Sequence, residues 1–329
     1  MRARYVLALL LSAGTCLSQA PSKKAVGCAG CFSEPQSTLL FSGENGDLNI
    51  VTPNGNLTVP HLPKWSPQNA SPLPALSPSG DHVAWSLRFM LNKDQVKCDP
   101  QKKGWCDPHP RPVFKSVMGV YSVRENTWKQ YGDFQTVGSA AFSPDGKKLA
   151  FKVENGCTVD SCDQNLMILD LETGQMTPVP GSESVVWITQ LTWSPDGKFL
   201  AGNGGYGDRD QIVVIDLATG KTKTIVEGSD PSWSPKGDWI AYRVTVQCMI
   251  IHPDGTGVRS VLEKAPKWMN DTLDTPIVWS PDGEKLLLNQ VQVEGYHNRV
   301  IIVDLATGHA TRISKNGKYV LGWAPYSGK

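Results

Sequence analysis

Trp193-Ser194-Pro195-Asp196-Gly197 is the most complete copy of a phrase that recurs along the chain. Its other copies are Leu76-Ser77-Pro78-Ser79-Gly80, Phe142-Ser143-Pro144-Asp145-Gly146, Trp233-Ser234-Pro235-Lys236-Gly237, Trp279-Ser280-Pro281-Asp282-Gly283 and the reduced Trp323-Ala324-Pro325. From Ser77 through Ser143, Ser194, Ser234 and Ser280 to Ala324 the steps are 66, 51, 40, 46 and 44 residues. Self-similarity at about 40–45 residues, with strands and turns in each unit, is the mark of a β-propeller. Ser, Pro, Asp and Gly in that order suit a type I turn: Pro presets the second position and Gly accepts the fourth. Trp65-Ser66-Pro67 lacks the Gly and sits in a Pro-rich connection, so it reads as loop.

Each turn leads into an apolar strand such as Lys148-Leu149-Ala150-Phe151, Phe199-Leu200-Ala201 or Trp239-Ile240-Ala241-Tyr242. A variable connection follows, then a strongly apolar run: Met167-Ile168-Leu169, Ile212-Val213-Val214-Ile215, Met249-Ile250-Ile251 or Val300-Ile301-Ile302-Val303. Three of these runs end in Asp170-Leu171-Glu172-Thr173-Gly174, Asp216-Leu217-Ala218-Thr219-Gly220 and Asp304-Leu305-Ala306-Thr307-Gly308, where Gly closes a second hairpin. Four strands per unit make one blade, and long helical patterns are absent. The chain end around Lys318 to Trp323 supplies only an innermost strand, while Thr38–Phe41, Leu48–Val51 and Asn56–Val59 supply three strands without one. The expected fold is all-β: a six-bladed β-propeller of four-stranded antiparallel blades, its ring closed by one C-terminal strand joining three N-terminal strands. Closure removes free inner edges.

The Trp-Ser-Pro-Asp-Gly phrase and its spacing resemble the WD-like propeller repeats of the TolB family, and more distantly the propellers of prolyl oligopeptidase-type proteins. The resemblance covers roughly residues 38–329. TolB carries a separate α/β domain before its propeller, for which this sequence has no room. The resemblance therefore implies a fold and leaves the activity open.

At 329 residues the length suits one propeller. With 32 basic and 31 acidic residues well mixed, no basic stripe points to nucleic acid. The N-terminus reads as a secretory signal over residues 1–20: Arg2 and Arg4 lead an apolar stretch, and Ser18-Gln19-Ala20 offers small residues for cleavage. Cys16 would be the site of lipidation if the signal were of the lipoprotein type. Residues 21–37 are expected to be a flexible leader holding Cys28 and Cys31 in a C-x2-C pair. No run in the mature chain is long enough to span a bilayer. Periplasmic or secreted location and a monomeric state are expected.

The eight cysteines are thus read in an oxidising compartment. Cys98 with Cys106 and Cys157 with Cys162 are expected as local disulfides; a zinc site using Cys98, Cys106 and His109 is the alternative. Cys248, beside an apolar strand, reads as a free buried thiol.

In a propeller the Ser-Pro-Asp-Gly and Thr-Gly turns share one face. The connections between second and third strands, and those between blades, share the other. That second face receives the insertions: 89–113, 152–164, 202–210 and 264–274. Long loops on a rigid scaffold carry function disproportionately. Candidate binding residues there are Lys102, Lys103 and Trp105, with Asp208 and Asp210, and Trp268 and Asp271. Trp is a frequent interface anchor, and the lysines would steer an acidic partner. Packing of Trp105 against its own blade is the plainer alternative. Asp145, Asp196 and Asp282, and likewise Asp170, Asp216 and Asp304, repeat once per blade and read as turn formers.

No Gly-x-Ser-x-Gly elbow occurs, and the six histidines are scattered. No catalytic residue, metal ligand or cofactor is assigned. The residues favour a non-catalytic scaffold binding an envelope or extracellular protein. The alternative is an extracytoplasmic carbohydrate-active enzyme, polyuronate lyase-like, with a metal at the central channel mouth; His109 and His297 would be its nearest candidates.

Overall fold

The computed structural model describes residues 37–42, 48–52, 55–58, 74–91, 114–156, 163–182, 190–204, 210–262, 272–292, 297–315 and 319–325. These residues form six antiparallel four-stranded sheets. The closing blade has the order β24-β1-β2-β3, from β1 (Ser37–Ser42), β2 (Leu48–Thr52), β3 (Gly55–Thr58) and β24 (Tyr319–Pro325). The first whole blade is β4 (Ala75–Leu76), β5 (His82–Met90), β6 (Phe114–Ser122) and β7 (Thr127–Phe134). The second is β8 (Thr136–Phe142), β9 (Lys148–Asn155), β10 (Asp163–Asp170) and β11 (Met176–Pro178). The third is β12 (Leu191–Trp193), β13 (Phe199–Gly204), β14 (Gln211–Asp216) and β15 (Thr222–Glu227). The fourth is β16 (Ser229–Trp233), β17 (Ile240–Val244), β18 (Gln247–Ile251) and β19 (Arg259–Ser260). The fifth is β20 (Thr272–Trp279), β21 (Lys285–Gln292), β22 (His297–Asp304) and β23 (Ala310–Lys315). The innermost strands β4, β8, β12, β16, β20 and β24 touch in that cyclic order, with β24 returning to β4. The propeller and its mixed closing blade are as the repeat predicts.

Strand character follows position. The second and third strands of a blade are covered on both faces by neighbouring blades, so Leu149, Ala150 and Phe151, or Leu286, Leu287 and Leu288, are all buried. The outermost strands meet water, and β7 and β15 accordingly carry mostly exposed or half-exposed polar side chains. Joins between blades alternate in length. Single residues, Gln135 and Gly228, link β7 to β8 and β15 to β16, and 316–318 link β23 to β24. The other joins run over 59–74, 179–190 and 261–271.

The repeated turns have a common wiring. In all five Ser-Pro copies with Gly, the Gly N–H donates to the Ser carbonyl at 2.8–3.0 Å. Gly197 has φ 71°, a conformation costly for a side chain with a Cβ. The Ser hydroxyl is buried and bonds a carboxylate: Ser143 to Asp145 and Ser194 to Asp196 at 2.6 Å, Ser280 to Asp282 at 2.5 Å. Two blades lack Asp at the third position. There the carboxylate comes from just after the Gly, with Ser234 donating to Asp238 at 2.6 Å and Ser77 to Asp81 at 3.1 Å. The turn thus needs one acceptor for a buried hydroxyl and takes it from either site.

This wiring predicts acid sensitivity. The Ser143 hydroxyl and the Lys147 N–H hold the Asp145 carboxyl below the usual carboxylate range, and the Ser194 hydroxyl and the Lys198 N–H do the same for Asp196. A carboxyl depressed in the folded state stabilises above its unfolded pKa, and that contribution is lost as pH falls through the folded value. The Asp145→Asn/Asp196→Asn protein should be less stable than wild type near neutral pH. The gap should close below about pH 4, where the wild-type carboxyls also become neutral. Urea midpoints at both pH values measure this; a gap independent of pH would contradict it.

Blade-to-blade contacts use the residue before the Ser. The Trp193 Nε1–H donates to the Ala141 carbonyl at 2.9 Å, and the Trp279 Nε1–H to the Ser232 carbonyl at 2.8 Å. Each indole fills the gap between blades and ties it through its polar edge. Four innermost-to-second strand pairs carry a bulge: at Val137/Ala140, Ser229/Ser232, Asp274/Ile277 and Leu40/Phe41. Opposite these irregularities the second strands place polar residues, including Lys152, Arg243 and Asn289. A bulge frees backbone groups, and a polar side chain can satisfy them. Asn289, 1% exposed, shows this best. Its Nδ2 donates to the Pro276 carbonyl at 2.8 Å and the Val320 carbonyl at 2.9 Å, while its Oδ1 accepts the Val320 N–H at 2.9 Å.

Candidate functional site

The second-to-third strand connections leave from one end of the ring. Their feet are paired: Met90 with Phe114, Asn155 with Asp163, and Gly204 with Gln211. The strands run further than the expected insertions allowed. Residues 89–90 belong to β5, Lys152–Asn155 to β9, Asp163–Gln164 to β10, Gly202–Gly204 to β13 and 272–274 to β20. The connections therefore shrink to 91–113, 156–162, 205–210 and 261–271. Hairpin pairing carries through polar residues such as Lys152 and Glu154 because the ladder is backbone-made, so polarity alone did not mark the strand ends.

The foot of the 91–113 connection is unusual. Phe89 is 43% exposed and Leu91 62% exposed. On the same face Val246, in the tight turn between β17 and β18, is 45% exposed. Of the large hydrophobics exposed among the described residues, only Val258 lies elsewhere. The Arg88 guanidinium sits 3.9 Å above the Phe114 ring, a cation–π contact that fixes the base of the connection. Lys115 pairs with Asp133 at 2.7 Å. Deeper in, Lys152 is nearly buried and pairs with Glu154 at 2.8 Å. The Arg243 Nε–H donates to Asp230 at 2.6 Å, and Asp230 itself has φ 58° at the bulge of β16. Phe89 and Leu91 escaped sequence reading because the alternation of β5 is apolar on both sides there; only their exposure distinguishes them.

Of the predicted site residues, Asp210 is described. It is exposed, and its carbonyl accepts the Gly228 N–H at 2.9 Å, bonding the β13–β14 connection to the single-residue join. Lys102, Lys103, Trp105, Asp208, Trp268 and Asp271 lie outside the described residues, as do Cys98, Cys106, Cys157, Cys162 and His109. The His297 side chain is likewise outside them. Cys248 is free and fully buried, and burial pushes its thiol pKa up, so it is inert packing. Asp170 and Asp304 accept the Thr173 and Thr307 N–H and hydroxyl groups, the turn-forming role expected of them.

The central channel encloses about 500 Å³. Its walls are Pro78, Pro144, Pro195, Pro235, Pro281 and Pro325, with the aromatic residue and the small residues that precede each turn. None of the lining residues is charged or a histidine. Among the described residues no three His, Cys, Asp or Glu side chains come together as a metal site. No helix among them is long and apolar enough to cross a membrane.

No family model and no curated protein matches the chain. Solved structures do. TolB from Acinetobacter baumannii is 17% identical over 88% of this chain, with a TM-score of 0.59, and this chain spans 66% of its length. A candidate TolB from Agrobacterium tumefaciens is 15% identical over 88% of this chain and 98% of its own, at 0.58. An oligogalacturonate lyase from Vibrio parahaemolyticus is 11% identical over 81% of this chain and 74% of its own, at 0.51. Identities this low speak to architecture and not to activity. Repeat, topology and structural likeness agree on one statement: this chain has the TolB-like six-bladed propeller fold.

Proposed function

We propose that the protein is a periplasmic or secreted, non-catalytic scaffold that docks an envelope or extracellular protein on its insertion-bearing face. The observation that carries this reading is the exposed apolar cluster of Phe89 and Leu91 at the foot of the 91–113 connection, with Val246 on the same face. Apolar side chains held in water by a rigid ladder mark an interaction surface more often than a packing fault. The connection above them adds Trp105 as an anchor and Lys102 and Lys103 as steering charges, and a Cys98–Cys106 disulfide would limit the freedom lost on docking. Asp208, Asp210, Trp268 and Asp271 belong to connections of the same face and extend the surface. The extracytoplasmic location rests on the signal-like residues 1–20.

The test is chemical cross-linking of the mature protein in an envelope extract of its own source, beside a variant lacking residues 92–110. A partner captured by the full chain and lost from the deletion supports the reading. Trp105→Ala should weaken that capture about tenfold or more if Trp105 is an anchor, with an unchanged melting temperature. Equal capture by wild type and deletion would move the site off this face. No capture, together with a tightly bound divalent metal and cleavage of a polyuronate, would favour the lyase-like alternative.

A further inference from the structure

The turn face departs from its own repeat at one place. The residue that opens the second strand of each whole blade is His82, Lys148, Phe199, Trp239 or Lys285. Ring geometry accepts a charged or polar side chain there, so the aromatic residues of the third and fourth blades are not demanded by the fold. Phe199 stacks on Trp233 of the next blade, with ring centroids 6.5 Å apart and planes 24° from parallel. The pair floors a cleft of about 260 Å³ between the third and fourth blades. Val214, Ile225 and Pro253 complete an apolar floor, and Lys221 and Lys223 stand exposed on its rim.

Two properties restrict what this cleft can hold. First, its charge is one-sided in practice. Asp216 also lines it, but its Oδ1 already accepts the Ala218 and Thr219 N–H groups at 2.9 and 3.0 Å. Lys221 has no carboxylate within ion-pair distance, and Lys223 donates only to the Asp254 carbonyl at 3.2 Å. Second, the outer wall of the cleft is β15, the last strand of its sheet, whose outer edge no strand pairs among the described residues. The floor has almost no hydrogen-bonding groups, which disfavours a sugar, whose hydroxyls would be left unpaired. An extended peptide suits both properties: its backbone can add to a free strand edge while alternate side chains enter pockets.

We propose that this cleft binds an extended acidic peptide segment of a partner protein. The segment adds to the edge of β15, sets one bulky apolar side chain against Phe199 and Trp233, and places flanking carboxylates beside Lys221 and Lys223. The site is on the opposite face from the insertion-bearing surface and does not depend on that surface being functional.

The experiment is selection of a phage-displayed random nonapeptide library on the full-length protein, followed by anisotropy titration of the enriched peptides. Expected are sequences with two or more Asp or Glu around a Leu, Ile, Phe or Trp. Their affinity should fall about tenfold or more for Lys221→Glu/Lys223→Glu, survive in Lys221→Arg/Lys223→Arg, and weaken with salt. Both rim residues are exposed, so neither variant should change folding, which circular dichroism checks. N-methylation of alternate peptide amides should also abolish binding. No enrichment, enriched peptides without acidic residues, equal binding to the Glu variant, or loss only on deleting 92–110 would each overturn the proposal.

Discussion

Removing residues 319–329 should leave a protein with no cooperative unfolding transition at ordinary temperature. β24 is the innermost strand of the closing blade and pairs with β1 from Ser37↔Pro325 to Ser42↔Tyr319. It buries Val320, Leu321 and Ala324. Full burial of an aliphatic side chain of this size contributes roughly 1.5–3 kcal/mol. The loss of two such side chains, the β1 ladder and the contacts of Gly322 with Leu76 approaches the roughly 5–15 kcal/mol that holds a whole domain folded. Gly322 marks how tight the closure is: a Cβ there would lie 2.5 Å from the Leu76 Cβ. Thermal and urea melts followed by tryptophan fluorescence, with size exclusion, check this. A truncated protein that melts like the full chain would mean the ring does not depend on its C-terminal strand.

Asn289→Ala should cost about 3–5 kcal/mol, a large value for one uncharged residue. The substitution leaves the Pro276 carbonyl and both backbone groups of Val320 buried without the amide that now pairs them. Each stranded group costs about 1–3 kcal/mol. Urea unfolding gives the number directly, and a loss below about 1 kcal/mol would show that water or backbone movement replaces the amide. Because Asn289 belongs to β21 and Val320 to β24, the bond spans two blades. Its loss should therefore weaken the same closure that truncation removes.

Blade number and closure were legible because a turn must spell out its geometry in sequence. Pro at the second position and Gly at the fourth leave few substitutes, so the repeat survives where all else varies. The Asp at the third position was less informative than it looked. Lys236 stands in its place, and Asp238 supplies the same acceptor. Strand ends were misjudged where pairing continues through polar residues, as at Lys152–Asn155. Asn289 was unreadable: a polar residue inside Leu286-Leu287-Leu288 looks like a strand ending, and its reason is a backbone group in a distant part of the chain. The insertions were legible as length, whereas the exposure of Phe89 and Leu91 is a property of folded surroundings. The cleft on the turn face was invisible for a related reason. Phe199 and Pro253 come from different blades, and no local pattern couples them.

The alternating joins give the ring a hidden grain. Single residues couple the first whole blade to the second and the third to the fourth, and 316–318 couple the fifth to the closing blade. Between these couples the chain has slack, at 59–74, 179–190 and 261–271. Mechanically the six blades behave as three two-blade plates on longer tethers. New termini opened in a slack join would leave every plate whole, so a permuted chain could reassemble the same ring. The same cut at Gln135 or Gly228 would split a plate along its tightest seam.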